Sequence, residues 1–265
     1  EDAGLKRDGE FIASQRELTG SLQQGTFVLR KNLTPDQLVS ALLAPPPNPY
    51  IEVDLRTGLR LEQITAKLQT LDGLEMDPHE FYDLAKEPPA ELLDDYPWLK
   101  RVLKDAPDGA SLEGFLWPGT YRILPDTTPE ELLRKMLDAF HDAVGDDKMK
   151  VPPERKMTFY QVLTLSSIVE REAVLDDERA LIAGVYQNRI DGKPGVKHKL
   201  LQADPTILYA NDTVKLGPFS DAWKTYTFWA PKNVDIKQYA DIQFPEALAG
   251  YNTYLKRTGV ANIPD

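Results

Sequence analysis

The sequence predicts an α+β fold in which one or two small α/β modules precede a larger mixed α+β domain. Three observations lead to this class. Helix-start signatures recur along the chain, one segment alternates between apolar and polar residues as a strand does, and a proline-rich run separates the N-terminal residues from the rest. A chain of 265 residues is long enough for one large domain or two smaller ones.

The clearest elements are three helix starts, at Thr34, Thr128 and Thr158. Each Thr can accept a hydrogen bond from the first helical turn, and a Gln or Glu three residues later completes a capping box. Proline follows the first two, at the helical position that needs no N–H donor. Because apolar residues then recur at helical spacing, we expect helices from residues 35, 129 and 159, and a fourth from about residue 177 to 190.

The remaining elements are shorter. Residues 25–30 and 50–55 alternate as strands, residues 61–68 have helical periodicity, and the acidic, proline-containing residues 77–108 indicate short helices. Residues 113–121 are dense in Gly, Pro and aromatic side chains, which excludes a regular helix. From residue 201 onwards we expect loops and strands.

The prolines at residues 45–49 form a stiff, extended linker and are the clearest boundary signal. The composition changes again near residue 113, where Gly, Pro and aromatic residues become dense. We therefore expect three regions: an N-terminal module at residues 1–47, a second small α/β module or linker region at 48–110, and a larger domain at 111–265.

Composition excludes many kinds of chemistry. Lys and Arg number 31 and Asp and Glu 42, so the net charge is −11, which disfavours a nucleic-acid partner. The absence of Cys excludes thiolate metal sites and a Cys nucleophile, and the three His residues lack metal-ligand spacing. We expect no metal or other cofactor, and carboxylates remain as the candidate catalysts.

One carboxylate continues an apolar helix face. Val162, Leu165 and Val169 are followed at the same helical spacing by Glu172. Burial disfavours the ionised form of a carboxyl, which suits a general acid. The alternative is an ordinary ion pair between Glu172 and Arg171 or Arg179. Glu170 points about 200° away, on a more polar face.

Two further clusters carry hydrogen-bonding side chains. Gln202, Asp204 and Thr206 alternate, so in an extended segment they share one side, where they could bind sugar hydroxyls. The alternative is a turn that bends at residues 204–205. The second cluster, at residues 251–254 (YNTY), suits either stacking on a sugar or a β edge.

Together these segments resemble the YceG-like family of endolytic murein transglycosylases. The matching pieces follow the family's order: LQQGTF at residues 22–27, LEGFLWPGTY at 112–121, SIVERE at 167–172, LQADPT at 201–206 and YNTY at 251–254. The resemblance spans most of the chain.

The resemblance implies a lytic transglycosylase. Such an enzyme cleaves peptidoglycan glycan strands between N-acetylmuramic acid and N-acetylglucosamine and leaves 1,6-anhydro-N-acetylmuramic acid ends. The family's catalytic Glu maps onto Glu172, which helical periodicity favours independently. The resemblance also implies a set of groove-lining residues: Glu113, Gln202, Asp204, Thr206, Tyr251, Asn252 and Tyr254.

The same resemblance implies a cellular setting. The N-terminal modules would be LysM-like, and a single membrane helix before Glu1 would anchor the enzyme to the cell membrane with its catalytic domain outside the cytoplasm. Its partners would be glycan strands and the cell-wall synthesis machinery. In the family the chain continues beyond Asp265, so we expect the catalytic domain to be truncated here.

This sequence departs from the family pattern at two places. Gly119 replaces an Asp that the family usually has, and residues 211–250 form a longer connection than expected. Two other interpretations stay open: a peptidoglycan-binding scaffold without turnover, and a hydrolytic muramidase with Asp204 as the second carboxylate.

Overall fold

The computed structural model describes residues 32–44, 50–194 and 201–228. The chain divides into two compact units, Glu1–Ile51 and Glu52–Asp265. In the first unit, helix α1 (Pro35–Leu43) has the predicted capping box, in which the Gln37 amide donates to Thr34 Oγ1 at 3.3 Å. The predicted strand at residues 25–30 and most of the expected LysM-like module lie outside the described residues.

The second unit is mostly helical, with a small sheet. Strand β1 (Ile51–Leu55) starts at the last residue of the first unit and otherwise belongs to the second. The elements that follow are α2 (Leu61–Leu68), α3 (Pro78–Lys86), α4 (Ala90–Asp95), α5 (Pro97–Leu103), β2 (Gly119–Ile123), α6 (Pro129–Lys148), α7 (Phe159–Glu172), α8 (Arg179–Ile190) and α9 (Asp204–Leu216). Strands β1 and β2 pair in a two-stranded sheet. Helix and strand are thus mixed, as predicted. None of the helices within the described residues is both long and apolar enough to cross a bilayer.

The predicted helix starts are confirmed. Thr128 caps α6 and Thr158 caps α7, each as one half of a capping box. At α7 the Thr158 amide donates to Gln161 Oε1 at 3.0 Å and the Gln161 amide donates to Thr158 Oγ1 at 3.3 Å. Two otherwise unpaired donors at the helix start are satisfied, so the sequence fixes where α7 begins. The strand at residues 50–55 and the short helices within 77–108 are confirmed as well.

The prediction of loops and strands from residue 201 onwards is wrong for residues 204–216, which form α9. Asp, Pro and Thr at its start resemble a turn in sequence. Pro205 nevertheless fits the first helical turn, where its fixed φ is favourable and no N–H donor is needed. Ala210 is buried in the cluster that includes Ile168 of α7, and Leu216 is buried in a second cluster with Trp223. Tertiary packing therefore outweighs the local turn signal.

A cluster of aromatic side chains lies in the core beside α6. Phe115 lies in the non-helical segment before β2, as predicted, and is fully buried. Its ring centroid is 5.4 Å from that of Phe140 on α6, which stacks at 5.6 Å on Trp98 from α5. Tyr160 of α7 joins the group at 6.3 Å from Phe115. Through Tyr160, this aromatic cluster anchors the first turn of α7 to the core.

Several contacts cross the boundary predicted between residues 110 and 111. Strand β1 pairs with β2, the Leu112 amide donates to the Ala85 carbonyl at 2.8 Å, and the Leu61 amide donates to Glu113 Oε2 at 2.8 Å. Residues on both sides of that boundary therefore hold each other in place. The division into separate regions at residue 110 stays a prediction.

Replacing Phe115 with Ala is expected to lower the free energy of unfolding by about 3–5 kcal/mol, because it empties a fully buried aromatic position. Urea unfolding followed by circular dichroism measures the loss. Leu181→Ala is the control, since Leu181 is 72 % exposed, and its change is expected to stay within about 0.5 kcal/mol. Equal losses in the two variants would contradict this picture of the core.

Candidate active site

Helix α7 presents two glutamates on different faces. Glu172 is its last residue and is half-buried, following the buried Leu165, Ile168 and Val169, so the predicted stripe is confirmed. Glu170 is also half-buried but belongs to the opposite face, where it lines a cavity together with Ser166. The two carboxyls therefore lie in different environments, although they are only two residues apart.

The partner of the Glu172 carboxyl is a tyrosine. The Tyr186 hydroxyl, on α8, donates to Glu172 Oε1 at 2.7 Å. Tyr186 is only 4 % exposed and packs with the buried residues of α7 and α9. The ion pairs considered from sequence are not formed, since Arg171 donates to the Gly58 carbonyl at 2.6 Å and Arg179 pairs with Asp176 at 3.1 Å. The partner of Glu172 is thus a neutral donor, and the alternative of an ion pair is wrong.

Tyr186 is held in its neutral form. Burial is the largest cause that raises the pKa of its phenol, and the hydrogen bond to Glu172 and the charge of that carboxylate add to it. The charge of Asp204 raises the pKa further, while Arg189 opposes the shift. The packing of this ring against α7 and α9 and its hydrogen bond to Glu172 bring the end of α7, helix α8 and the start of α9 together.

The extended segment predicted at residues 201–206 is wrong. Gln202 has a left-handed backbone (φ 51°), and Asp204 begins α9. The Thr206 hydroxyl donates to the Ala203 carbonyl at 2.7 Å, and Thr206 is 6 % exposed. Gln202 and Asp204 are exposed, whereas Thr206 secures the first turn of the helix. The three side chains therefore do not share one exposed side.

Glu113 lies in a different polar cluster from Glu172. Its Oε2 accepts from the Leu61 amide at 2.8 Å and its Oε1 accepts from the Tyr209 hydroxyl at 2.7 Å. The Arg60 guanidinium stacks over the Tyr209 ring at 3.8 Å and pairs with Glu62 at 3.1 Å. Glu113 thus connects the start of α2 to α9, and both its oxygens are engaged in doing so.

A cavity of about 560 Å³ lies against the Glu170 face of α7. Its wall is mostly apolar, with Trp117, Phe140 and Leu163 among its residues, and Glu113, Glu170 and Arg171 form a polar part. Burial and the charge of Arg60 lower the pKa of Arg171. Glu172 is not among the lining residues, so the predicted site residues fall in two separate places.

Tyr251, Asn252 and Tyr254 lie outside the described residues, so their place near Glu172 stays a prediction. Within residues 32–44, 50–194 and 201–228, no three His, Asp or Glu side chains gather as metal ligands.

Sequence reasoning missed Tyr186. The only available signal was a lone aromatic in a helix of weak amphipathicity, Arg179–Ile190, of which Tyr186 is the one buried residue in the described structure. Such a residue is usually assigned to the core, and its hydroxyl has no sequence signature that names a partner on another helix.

The family of the chain follows from comparison with known proteins. The model of the YceG-like family matches residues 1–264, and the chain belongs to this family. A crystal structure of the yceG-like protein lmo1499 from Listeria monocytogenes shares the fold, with a TM-score of 0.51 and 24% identity, and covers 94% of this chain and 80% of that one.

Two curated relatives are named endolytic murein transglycosylase. The protein from Bacillus subtilis (strain 168) is 27% identical over 254 residues, which is 91% of this chain and 60% of that protein. The protein from Streptococcus pneumoniae serotype 2 (strain D39) is 31% identical over 235 residues, which is 82% of this chain and 40% of that protein. The chain thus spans about half the length of these relatives.

Glu113→Gln is expected to lower the free energy of unfolding by about 1.5–3 kcal/mol, because an ionised acceptor of two hydrogen bonds is lost. Chemical denaturation without any glycan measures this structural contribution. Glu154→Gln, at an exposed position, is the matched control and should change little. An unchanged stability in Glu113→Gln would contradict the connecting role.

Alkaline pH is expected to destabilise the fold through Tyr186. Its pKa is raised above the ordinary value of 10.0, so the folded state binds this proton more tightly than the unfolded state. The protonated Tyr186 therefore contributes fully to the free energy of unfolding below pH 10, and this contribution is lost as the pH rises above 10. Urea midpoints at pH 8 and 11 should differ more in the wild type than in Tyr186→Phe, and equal differences would contradict the shift.

Proposed function

We propose that this chain is the catalytic part of a lytic transglycosylase that cleaves peptidoglycan glycan strands. The bond cleaved lies between N-acetylmuramic acid and N-acetylglucosamine, and the product carries a 1,6-anhydro-N-acetylmuramic acid end. The observation that carries the proposal is Glu172, a half-buried carboxyl at the end of an apolar stripe with a hydroxyl donor on Oε1. Relatives named endolytic murein transglycosylase support the substrate class.

One carboxyl is sufficient for this reaction. As an acid, Glu172 gives its proton to the glycosidic oxygen, and the bond from that oxygen to C1 breaks. As a base, the same carboxylate then takes the proton of the C6 hydroxyl, whose oxygen bonds to C1. The first proton stays on the leaving hydroxyl, the C6 proton leaves Glu172 protonated again, and no water is consumed. Within the described residues the structure shows no hydrogen bond to Oε2, which leaves that oxygen for the reacting atoms.

The remaining site residues are proposed as the glycan groove. Gln202 and Asp204 are exposed at the start of α9, the helix that packs on α7, and their polar groups can bind sugar hydroxyls. Tyr251, Asn252 and Tyr254 would extend this surface. Glu113 and Thr206 would contribute indirectly, through the contacts that hold α9.

The proposal extends to the cellular setting. A LysM-like module at residues 1–47 would add glycan affinity, and a membrane anchor outside this chain would hold the enzyme on the outer side of the cell membrane. The cell-wall synthesis machinery would be its protein partner. The net charge of −11 indicates that contact with the acidic polymer relies on hydroxyls and sugar faces.

A hydrolytic muramidase is the second candidate, because Asp204 is an exposed carboxylate at the start of α9, the helix that packs on α7. A second carboxylate near the acid is what a glycosidase needs to form a covalent intermediate or to activate water. Hydrolysis would leave reducing ends, whereas the lytic reaction leaves products that are lighter by one water.

Glu172→Gln is expected to reduce cleavage of purified glycan strands by at least about 100-fold, because the amide can neither give nor take the proton. Mass spectrometry of the products measures both the rate and the type of end. Glu170→Gln is the matched comparison, since it makes the same change on the opposite face of the same helix and should keep most of the activity.

Other outcomes point elsewhere. If Glu170→Gln loses activity and Glu172→Gln keeps it, the catalytic acid is Glu170, on the cavity face of α7. Reducing ends that disappear in Asp204→Asn would establish hydrolysis. Binding of glycan strands without any cleavage by the wild type would indicate a scaffold.

A further inference from the structure

We propose that Tyr186 is a positioning residue that fixes the Glu172 carboxyl and selects Oε2 as the oxygen that exchanges protons with the glycan. This inference rests on the proposed function. It starts from the hydrogen bond of 2.7 Å between the Tyr186 hydroxyl and Glu172 Oε1, which joins two helices.

The Glu172 side chain needs such a partner. Helix α7 ends at this residue, and the following Ala173 is extended (φ −72°, ψ 125°), so no further helical turn covers the carboxyl. A half-buried Glu with free torsions would sample several rotamers, and ordering it has an entropic cost. A hydrogen bond from a fixed donor removes that freedom before the substrate binds.

Tyr186 is itself well fixed. Its ring packs in the cluster formed by Leu165, Ile168 and Val169 of α7 with Ala203 and Ala210. The Arg189 guanidinium lies 5.6 Å from the ring centroid. The same guanidinium donates to the Leu201 carbonyl and so ties α8 to the segment before α9. The donor is therefore held by three elements and not by a flexible loop.

The direction of the hydrogen bond determines which oxygen reacts. Because Oε1 accepts from the phenol, the proton that Glu172 donates to the glycosidic oxygen resides on Oε2. The same Oε2 receives the proton from the C6 hydroxyl when the anhydro ring closes. Burial raises the pKa of the phenol, which keeps Tyr186 a donor throughout this cycle.

Removing only the hydroxyl tests the inference. Tyr186→Phe keeps the ring and its packing, so the unfolding midpoint at neutral pH confirms that the variant folds. On purified glycan strands we expect kcat to fall by about 10-fold to 100-fold and KM to change by less than about 3-fold, because geometry is lost at the reacting carboxyl and not at the sugar contacts.

The pH profile gives a second readout. A hydrogen-bond donor stabilises the ionised carboxylate, so its removal favours the protonated form. The limb of the kcat profile on which activity falls with rising pH should therefore move to higher pH in Tyr186→Phe. A purely structural role for Tyr186 would leave this limb where it is.

Tyr226→Phe is the matched control. The Tyr226 hydroxyl also donates to a carboxylate, Asp212 Oδ1 at 2.9 Å, and its ring packs against a different core cluster, which includes Leu216 and Trp223. Its kcat and pH profile should stay within about 2-fold of the wild type. In the double variant Glu172→Gln/Tyr186→Phe, loss of the hydroxyl should add nothing, because Tyr186 acts through Glu172.

The outcomes separate this inference from the proposed function. An active wild type with an unchanged kcat and pH profile in Tyr186→Phe overturns the positioning role alone. A raised KM with an unchanged kcat overturns it in favour of substrate binding. A wild type that cleaves no glycan overturns the proposed function together with this inference.

Discussion

The Glu113 carboxylate holds together the part of the second unit on which the candidate site depends. One oxygen receives the first amide of α2 and the other receives the Tyr209 hydroxyl of α9, while Arg60 covers the Tyr209 ring. Helix α9 in turn packs on α7 beside the buried Ile168 and Val169. A charged acceptor that satisfies two donors across 50 to 100 residues of sequence fixes α9 and, through it, the surface around Glu172.

Helix α7 separates two environments by its geometry. Residues two positions apart point in nearly opposite directions, so Glu170 meets the apolar cavity beside α6 whereas Glu172 meets the phenol of α8. Two carboxyls on one short segment therefore lie in different environments. The resemblance to the family is one reason to propose Glu172 as the catalytic acid. The hydrogen bond from Tyr186 is a second, physical reason that is independent of the family.

Local signals in the sequence predicted the helix starts at Thr34, Thr128 and Thr158, because capping is a matter of four consecutive residues. The helical periodicity of α7 likewise predicted that Glu172 lies on the same face as Leu165 and Val169. The start of α9 was not, because Asp204 and Pro205 suit both a turn and a helix, and packing of residues far along the chain decides between them. Tyr186 was missed for the same reason: its partner lies on another helix, and no spacing in the sequence encodes it.

The backbone conformation of Gln202, just before α9, affects which substitutions this segment tolerates. Gln202 has a left-handed backbone, a conformation that costs a side-chain-bearing residue about 1 kcal/mol or more and that Gly adopts freely. A protein selected for stability alone would place Gly at this position. The long polar side chain there means that the backbone carries strain next to the proposed groove. A change to Gly would relax the backbone and stabilise the chain, but it would remove a polar group from the proposed glycan-binding surface.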